Sequence, residues 1–117
     1  MVEHEGRGLV RLVIGELCRR SYRTSKDKGF HSDVDGIEDD HVVKGFMRTA
    51  LIHTEVSEIT EELRHDPVNW DNVSDECADV LIRVFDLAQL YQLDLAEALL
   101  NKMDKNDSRP YKHGKAY

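Results

Sequence analysis

The chain has 117 residues, 40% hydrophobic and 33% charged, which suits a single folded domain over residues 1–117 and not a disordered segment. Acidic residues outnumber basic ones 23 to 16, giving a net charge of −7, so a nucleic-acid partner bound through its phosphate backbone is disfavoured. No apolar run approaches the about 18 residues that span a bilayer, no signal-peptide pattern opens the chain, and Cys18 and Cys77 make neither a disulfide framework nor a zinc knuckle, so the expected setting is the reducing cytoplasm with no membrane partner.

Val10, Val13, Ile14, Leu17 and Cys18 recur at helical spacing and predict a first helix from about Leu9 to Tyr22. Arg23 to Asp40 holds Gly29 and Gly36 with little periodicity and reads as a long connection, of the kind that often carries function. A second helix is expected from about Asp40 to His65, with a stripe through Val42, Val43, Phe46, Met47, Ala50, Ile52, Val56, Ile59 and Leu63. Asp66-Pro67 ends it, because a residue before proline is pushed out of the α region. Asn69 to Asn72 reads as a loop, with Ser74 as the cap of a third helix carrying Cys77, Val80, Leu81, Val84, Leu87, Ala88 and Tyr91 inward. Asp94 caps a fourth helix through about Asn106, with Ala98, Leu99 and Met103 facing the core. The tail from Ser108 should be irregular. No alternating Val/Ile/Thr run suggests a strand, so the expected fold class is an all-α four-helix bundle.

The informative feature is two acidic pairs, Glu55-Val-Ser-Glu58 on the second helix and Glu76-Cys-Ala-Asp79 on the third. A spacing of three puts the members of each pair about 60° apart, one turn along the same face. Glu55 precedes Ile59 by four and Glu76 precedes Val80 by four, so both helices present their acids at one offset from the apolar stripe. Helices joined by a short loop pack antiparallel, which brings the four carboxylates toward one another. At about 4 Å two like charges cost about 4 kcal/mol at an effective dielectric of about 20. A divalent cation relieves that, and hard oxygen ligands suit Mg²⁺ or Mn²⁺. An isolated pair would usually be a solvated helix face; two pairs in matching register favour a metal cluster.

Glu62-Leu-Arg-His65 has the ExxH spacing of di-iron bundles, but the other copy, Glu38-Asp-Asp-His41, lies at a helix start. Cys77 and Cys18 lie in apolar stripes and read as core. From Lys102 onward Lys102, Lys105, Arg109, Lys112 and Lys115 outnumber Asp104 and Asp107. A cationic helix end complements the helix dipole, and beside a metal it would also clamp a polyphosphate chain.

The run Leu51 to Glu58, then Asp75 to Ile82, then Asp94 to Leu99, then Lys102 to Tyr111 resembles the MazG-like nucleotide pyrophosphohydrolases of the all-α NTP pyrophosphatase superfamily. The resemblance covers roughly Lys28 to Lys115, and it is the order ExxE, ExxD and KxxxN that carries it. Asp75 stands where the family often has a glutamate. The resemblance implies Mg²⁺-dependent hydrolysis of a nucleoside triphosphate to monophosphate and pyrophosphate, with Glu55, Glu58, Glu76 and Asp79 as metal-binding and catalytic residues. It further implies Lys102, Asn106 and Arg109 on the phosphates. Lys28-Gly29-Phe30-His31 looks like the family's segment before the metal helix, which makes Lys28, Phe30 and His31 base-binding residues. Related bundles act on dUTP or phosphoribosyl-ATP, and a non-catalytic helical interaction module is the alternative of another class. Phe46, Met47, Phe85, Leu90 and Leu100 are apolar positions left over beyond what a single stripe buries, so a homodimer or homotetramer is expected, with the nucleotide near a subunit interface.

Overall fold

A computed structural model describes residues 4–31, 41–114 and 116. The connection over 32–40, which includes Gly36 and Glu38, and Lys115 lie outside the described residues. Four α-helices follow in order: α1 (His4–Asp27), α2 (His41–Leu63), α3 (Trp70–Leu90) and α4 (Leu95–Asp107). A short 3-10 turn, Tyr111–Gly114, follows. There is no strand among the described residues, and the fold is the expected all-α bundle.

The ends of the helices depart from the apolar pattern in two places. α1 runs about five residues further at each end than its apolar stripe, because polar residues on the outer face continue the helix without interrupting its hydrogen bonds. It stops at Gly29, whose φ of 87° is open to glycine at little cost. The Gly29 amide donates to Lys26 O at 3.1 Å and the Phe30 amide to Ser25 O at 3.0 Å, the pair of bonds that closes a Schellman cap. That turn folds Phe30 and His31 back over the bundle. α3 begins at Trp70, four residues before Ser74. The Asn69 side chain accepts from the Asn72 amide at 3.2 Å, so Asn69 and not Ser74 is the cap, and Trp70 lies in the helix. At α4 the expectation holds: Asp94 Oδ1 accepts from the Glu97 amide at 3.1 Å.

α2 and α3 form an antiparallel pair, with Arg48 beside Asp86, Glu55 beside Arg83 and Glu62 beside Asn72, and α3 also packs on α1, where Ile82 and Phe85 lie with Leu17, Arg20, Ser21 and Thr24. Gly45 is buried because the Tyr91 ring lies on it, with the Tyr91 hydroxyl donating to the His41 carbonyl. α4 packs chiefly on the N-terminal half of α1. There Arg7 Nη1 reaches Asp104 Oδ2 at 3.1 Å, Arg7 Nη2 donates to Asn101 Oδ1 at 2.8 Å, and Arg11 pairs with Glu97. This contact sets the register of α4 differently from the apolar pattern. Ala96 and Leu100 are buried, whereas Ala98, Leu99 and Met103 point away from α1 and are exposed. Cys18 is core as expected, but Cys77 is exposed, because the neighbouring Glu76 and Val80 take the inward positions.

The apolar core is thin. The fully buried hydrophobic residues among those described are Cys18, Ala88, Ala96 and Leu100, while Leu12 and Phe46 are each 69% exposed. The radius of gyration is 16.9 Å, against about 13–14 Å for a compact chain of this length.

Deepest in the fold sits a charge. Asp86 is 1% exposed, with Oδ1 3.0 Å from His31 Nε2 and Oδ2 4.0 Å from Arg48 Nε. Arg48 is 4% exposed and also donates to the Phe30 carbonyl at 2.5 Å. The Tyr22 ring lies against His31, with centroids 4.7 Å apart. One carboxylate on α3 thus joins α2, α1 and the turn after α1. Asp86→Ala strands the Arg48 guanidinium without a counter-charge, a change that costs about 3–5 kcal/mol. Urea denaturation should register most of that loss.

Candidate metal centre

The acidic pairs meet midway along the α2–α3 pair. One carboxylate oxygen from each of Glu55, Glu76 and Asp79 lies within 4.8 Å of the others. Glu55 and Glu76 are half-buried and Asp79 is exposed, so the trio opens to solvent on the Asp79 side. Glu58 is exposed and stands outside the trio, yet its charge acts on it. Desolvation, and after it the charges of Asp79, Glu58, Glu55 and Glu62, hold the Glu76 carboxyl above the usual glutamate range. Glu62, in neither motif, therefore belongs to the same field. It is half-buried, and its Oε2 accepts from Asn72 Nδ2 at 3.4 Å.

The donor set is oxygen only, with no Cys or His in the trio. Hard carboxylate oxygens carrying an excess of negative charge fit Mg²⁺ or Mn²⁺. At Mg–O distances of about 2.1 Å, ligands on opposite sides of the ion stand about 4.2 Å apart, so small side-chain rotations suffice to converge the trio on one cation.

Beside the trio runs a groove lined by Ser25, Lys28, Phe30, Glu55, Asp79 and Arg83, among others. Phe30 is 45% exposed there, an accessible ring next to the carboxylates. Lys28 is exposed on the same groove. His31 is placed differently: it is buried and its Nε2 is engaged by Asp86, so it supports the turn that carries Phe30. The residues expected on the phosphates are not among those lining this groove. Lys102 and Asn106 are exposed on α4 on either side of Asp104, which Arg7 holds, and Arg109 follows just past the helix end. Along α1, Arg7 and the groove residue Thr24 are about 25 Å apart at 1.5 Å per residue.

Arg83 is a site residue that the motifs do not include. Its Nε is 3.5 Å from Glu55 Oε1, and its guanidinium carbon lies 4.9 Å from the Phe30 ring centroid. The signal is nonetheless present in the spacing: Glu76, Asp79 and Arg83 stand at i, i+3 and i+7, one helix face.

Carboxylates converging from facing turns of an antiparallel helix pair define the class, an all-α protein with an acidic cluster whose donor set could hold a cation. Residues 47–113 match the family model of the MazG nucleotide pyrophosphohydrolase domain. That is more than half of the chain, and the chain belongs to the MazG family. The match spans all four motif carboxylates and Lys102, Asn106 and Arg109, and it leaves out α1 and the turn with Lys28, Phe30 and His31. No curated protein and no solved structure matches the chain. No helix among the described residues is long and apolar enough to cross a membrane.

The raised Glu76 carboxyl has a definite consequence for stability. The folded state holds this proton more tightly than the unfolded chain does. The group's contribution to stability is therefore present below the ordinary glutamate pKa and is lost as pH rises through the raised value. In the absence of divalent cations, Glu76→Gln should gain melting temperature relative to the unmodified protein as pH rises through that window. Adding Mg²⁺ should stabilise the unmodified protein and reverse the ranking. Parallel thermal melts across pH, with EDTA and with Mg²⁺, check both signs.

Proposed function

We propose that the chain is a Mg²⁺-dependent nucleoside triphosphate pyrophosphohydrolase, converting a (d)NTP and water to a (d)NMP and pyrophosphate, with a part in clearing unwanted nucleotides from the pool. Mn²⁺ is the second ion of choice. The observation that carries this reading is the convergence of Glu55, Glu76 and Asp79 beside an exposed aromatic ring in a chain of the MazG family.

A bound Mg²⁺ would supply charge neutralisation at the α-phosphate and lower the pKa of a water at the site. Glu55, Glu76 and Asp79, already gathered on facing helix turns, would hold the ion against the phosphate chain. Glu58 lies outside the trio but within its field, which suits it to take the proton from the attacking water. Phe30 offers a face to the base, and Lys28 adds positive charge at the groove.

Lys102, Asn106 and Arg109 complete the phosphate site when α4 of a neighbouring copy approaches the carboxylates. A homodimer or homotetramer accounts at once for their distance along α1 and for the exposed Leu9, Leu12, Val13, Phe46, Leu99 and Met103. Sedimentation velocity at micromolar concentration should give a dimer or larger; a monomer would sink this arrangement.

The decisive experiment is a panel of nucleoside triphosphates, dUTP and phosphoribosyl-ATP included, with Mg²⁺ present and both products quantified. Pyrophosphate and monophosphate should appear in equal amounts, and EDTA should abolish the reaction. Glu58→Gln should lower kcat by about 100-fold or more while the fold survives, since removing one of several like charges relieves repulsion. Full turnover in Glu58→Gln would overturn the role given to Glu58, and turnover without a divalent ion would falsify the metal-dependent mechanism.

A further inference from the structure

Arg83 has no part in the motifs, yet among the described residues it is a cation that forms an ion pair with the carboxylate trio. Its surroundings are specific. The side chain is 21% exposed, Nε faces Glu55 Oε1 at 3.5 Å, and the guanidinium lies on the Phe30 ring. Phe30 is itself held from behind, because Arg48 grips its backbone carbonyl and Gly29 fixes the turn. Along the same groove Lys28 is exposed, and the buried Ser25 hydroxyl has no hydrogen-bond partner. A planar fork of donors on an aromatic shelf, open on one side to a groove with a further ammonium and a spare hydroxyl, is suited to binding phosphate oxygens in two-point fashion.

We infer that Arg83 is a phosphate-binding residue supplied in cis, held by Glu55 while no divalent cation is bound and freed to grip the phosphate chain when a cation engages Glu55. The inference rests on the hydrolase reading for its substrate class but not for its geometry. Both partners of the Glu55–Arg83 pair are then used in turn. With the centre unloaded, Arg83 offsets part of the negative charge. With it loaded, the Glu55 oxygen turns to the cation, and the guanidinium is left beside Phe30 with its donors unspent. The cation and the phosphate thus become coupled ligands, since each removes a competitor of the other. A base stacked on Phe30 would also share that ring with the arginine, which sets the phosphates and the base at neighbouring points of one groove.

The test uses the full chain, Mn²⁺ as the metal probe and inorganic pyrophosphate as the anion, with Arg83→Met and Arg83→Lys compared. Circular dichroism first establishes that each variant is helical. Titration of Mn²⁺ alone, followed by electron paramagnetic resonance, should show Arg83→Met binding the ion about threefold more tightly or better, because a nearby positive charge is gone. Calorimetric titration of pyrophosphate at saturating Mn²⁺ should show the same variant weakened by about 10- to 100-fold. Arg83→Lys should keep the metal affinity of the unmodified protein and recover only part of the pyrophosphate affinity, since an ammonium has no fork. Opposite signs for the two ligands are the signature; a residue that merely props Glu55 would lose both.

The inference is overturned if Arg83→Met weakens Mn²⁺ binding, or if its pyrophosphate affinity is unchanged. Should Arg83→Met fail to fold, Arg83→Lys decides alone, and unchanged pyrophosphate affinity in it overturns the assignment. If the unmodified protein binds both probes with these variant effects but hydrolyses no nucleotide, the hydrolase reading falls and the phosphate site stands. If it hydrolyses nucleotide but Arg83 has no effect on pyrophosphate binding, the hydrolase reading stands and the phosphate site falls. Failure of the unmodified protein to bind Mn²⁺ and pyrophosphate overturns both.

Discussion

The contact between α2 and α3 is lined by charge, and the rest of the molecule is arranged around that fact. On α2, Arg48, Glu55 and Glu62 recur every seventh position; on α3, Glu76, Asp79, Arg83 and Asp86 follow at i, i+3, i+7 and i+10. Because the helices are antiparallel, Arg48 meets Asp86 and Glu55 meets Arg83. Those two levels are close to electrically balanced. Further along the pair, Glu58 and Glu62 face Glu76 and Asp79, and neither helix carries a Lys or Arg over residues 55–63 or 70–82. There Glu76 carries the strain as a raised pKa. The seam thus passes from a buried structural ion pair to an acid-rich stretch whose carboxylates could hold a cation.

That gradient also explains the turn after α1. The buried end of the seam includes His31 as well as Arg48 and Asp86, so the cost of keeping Asp86 out of water is shared by a residue from outside the helix pair. Engaging His31 draws the segment across the top of the seam and presents the preceding residue, Phe30, to the groove. A buried charge is weak evidence for stability as such. Here it links three elements that have little hydrocarbon between them, and it places an aromatic ring beside the carboxylates. Arg83 sits between the two regimes, paired to the acid centre on one side and stacked on that ring on the other.

The chain has a second pole. α4 is tied to α1 by Arg7 and Arg11, polar contacts at the surface, of a kind that contributes little each. Its apolar residues Leu99 and Met103 face outward, as do Leu9 and Leu12 of α1. An exposed apolar surface of this extent beside a thin core is the physical reason for expecting association, and the same association is what would bring the basic end of α4 to a carboxylate centre.

Periodicity alone made four helices, their order and the antiparallel α2–α3 pair legible, because those depend on local patterning and on a short connection. The matching register of Glu55 and Glu76 pointed correctly to a shared face, and Asp94 was readable as a cap, since both are properties of residues a few positions apart. Composition misled at Asn69 to Asn72, where polar residues that resemble a loop instead cap and open a helix. The inward face of α4, the exposure of Cys77, the burial of His31 and the place of Arg83 were not legible. Each depends on which neighbour a helix meets and at what rotation, and Asp86 shows why: a charge that any scale of hydrophobicity sends to the surface becomes, among the described residues, the most buried side chain once Arg48 and His31, 38 and 55 residues away in sequence, are packed against it. Local pattern determined the elements and the acid pairs; only tertiary packing decided which charges are partners, because a buried charge is stable only beside groups that the chain brings together from far apart.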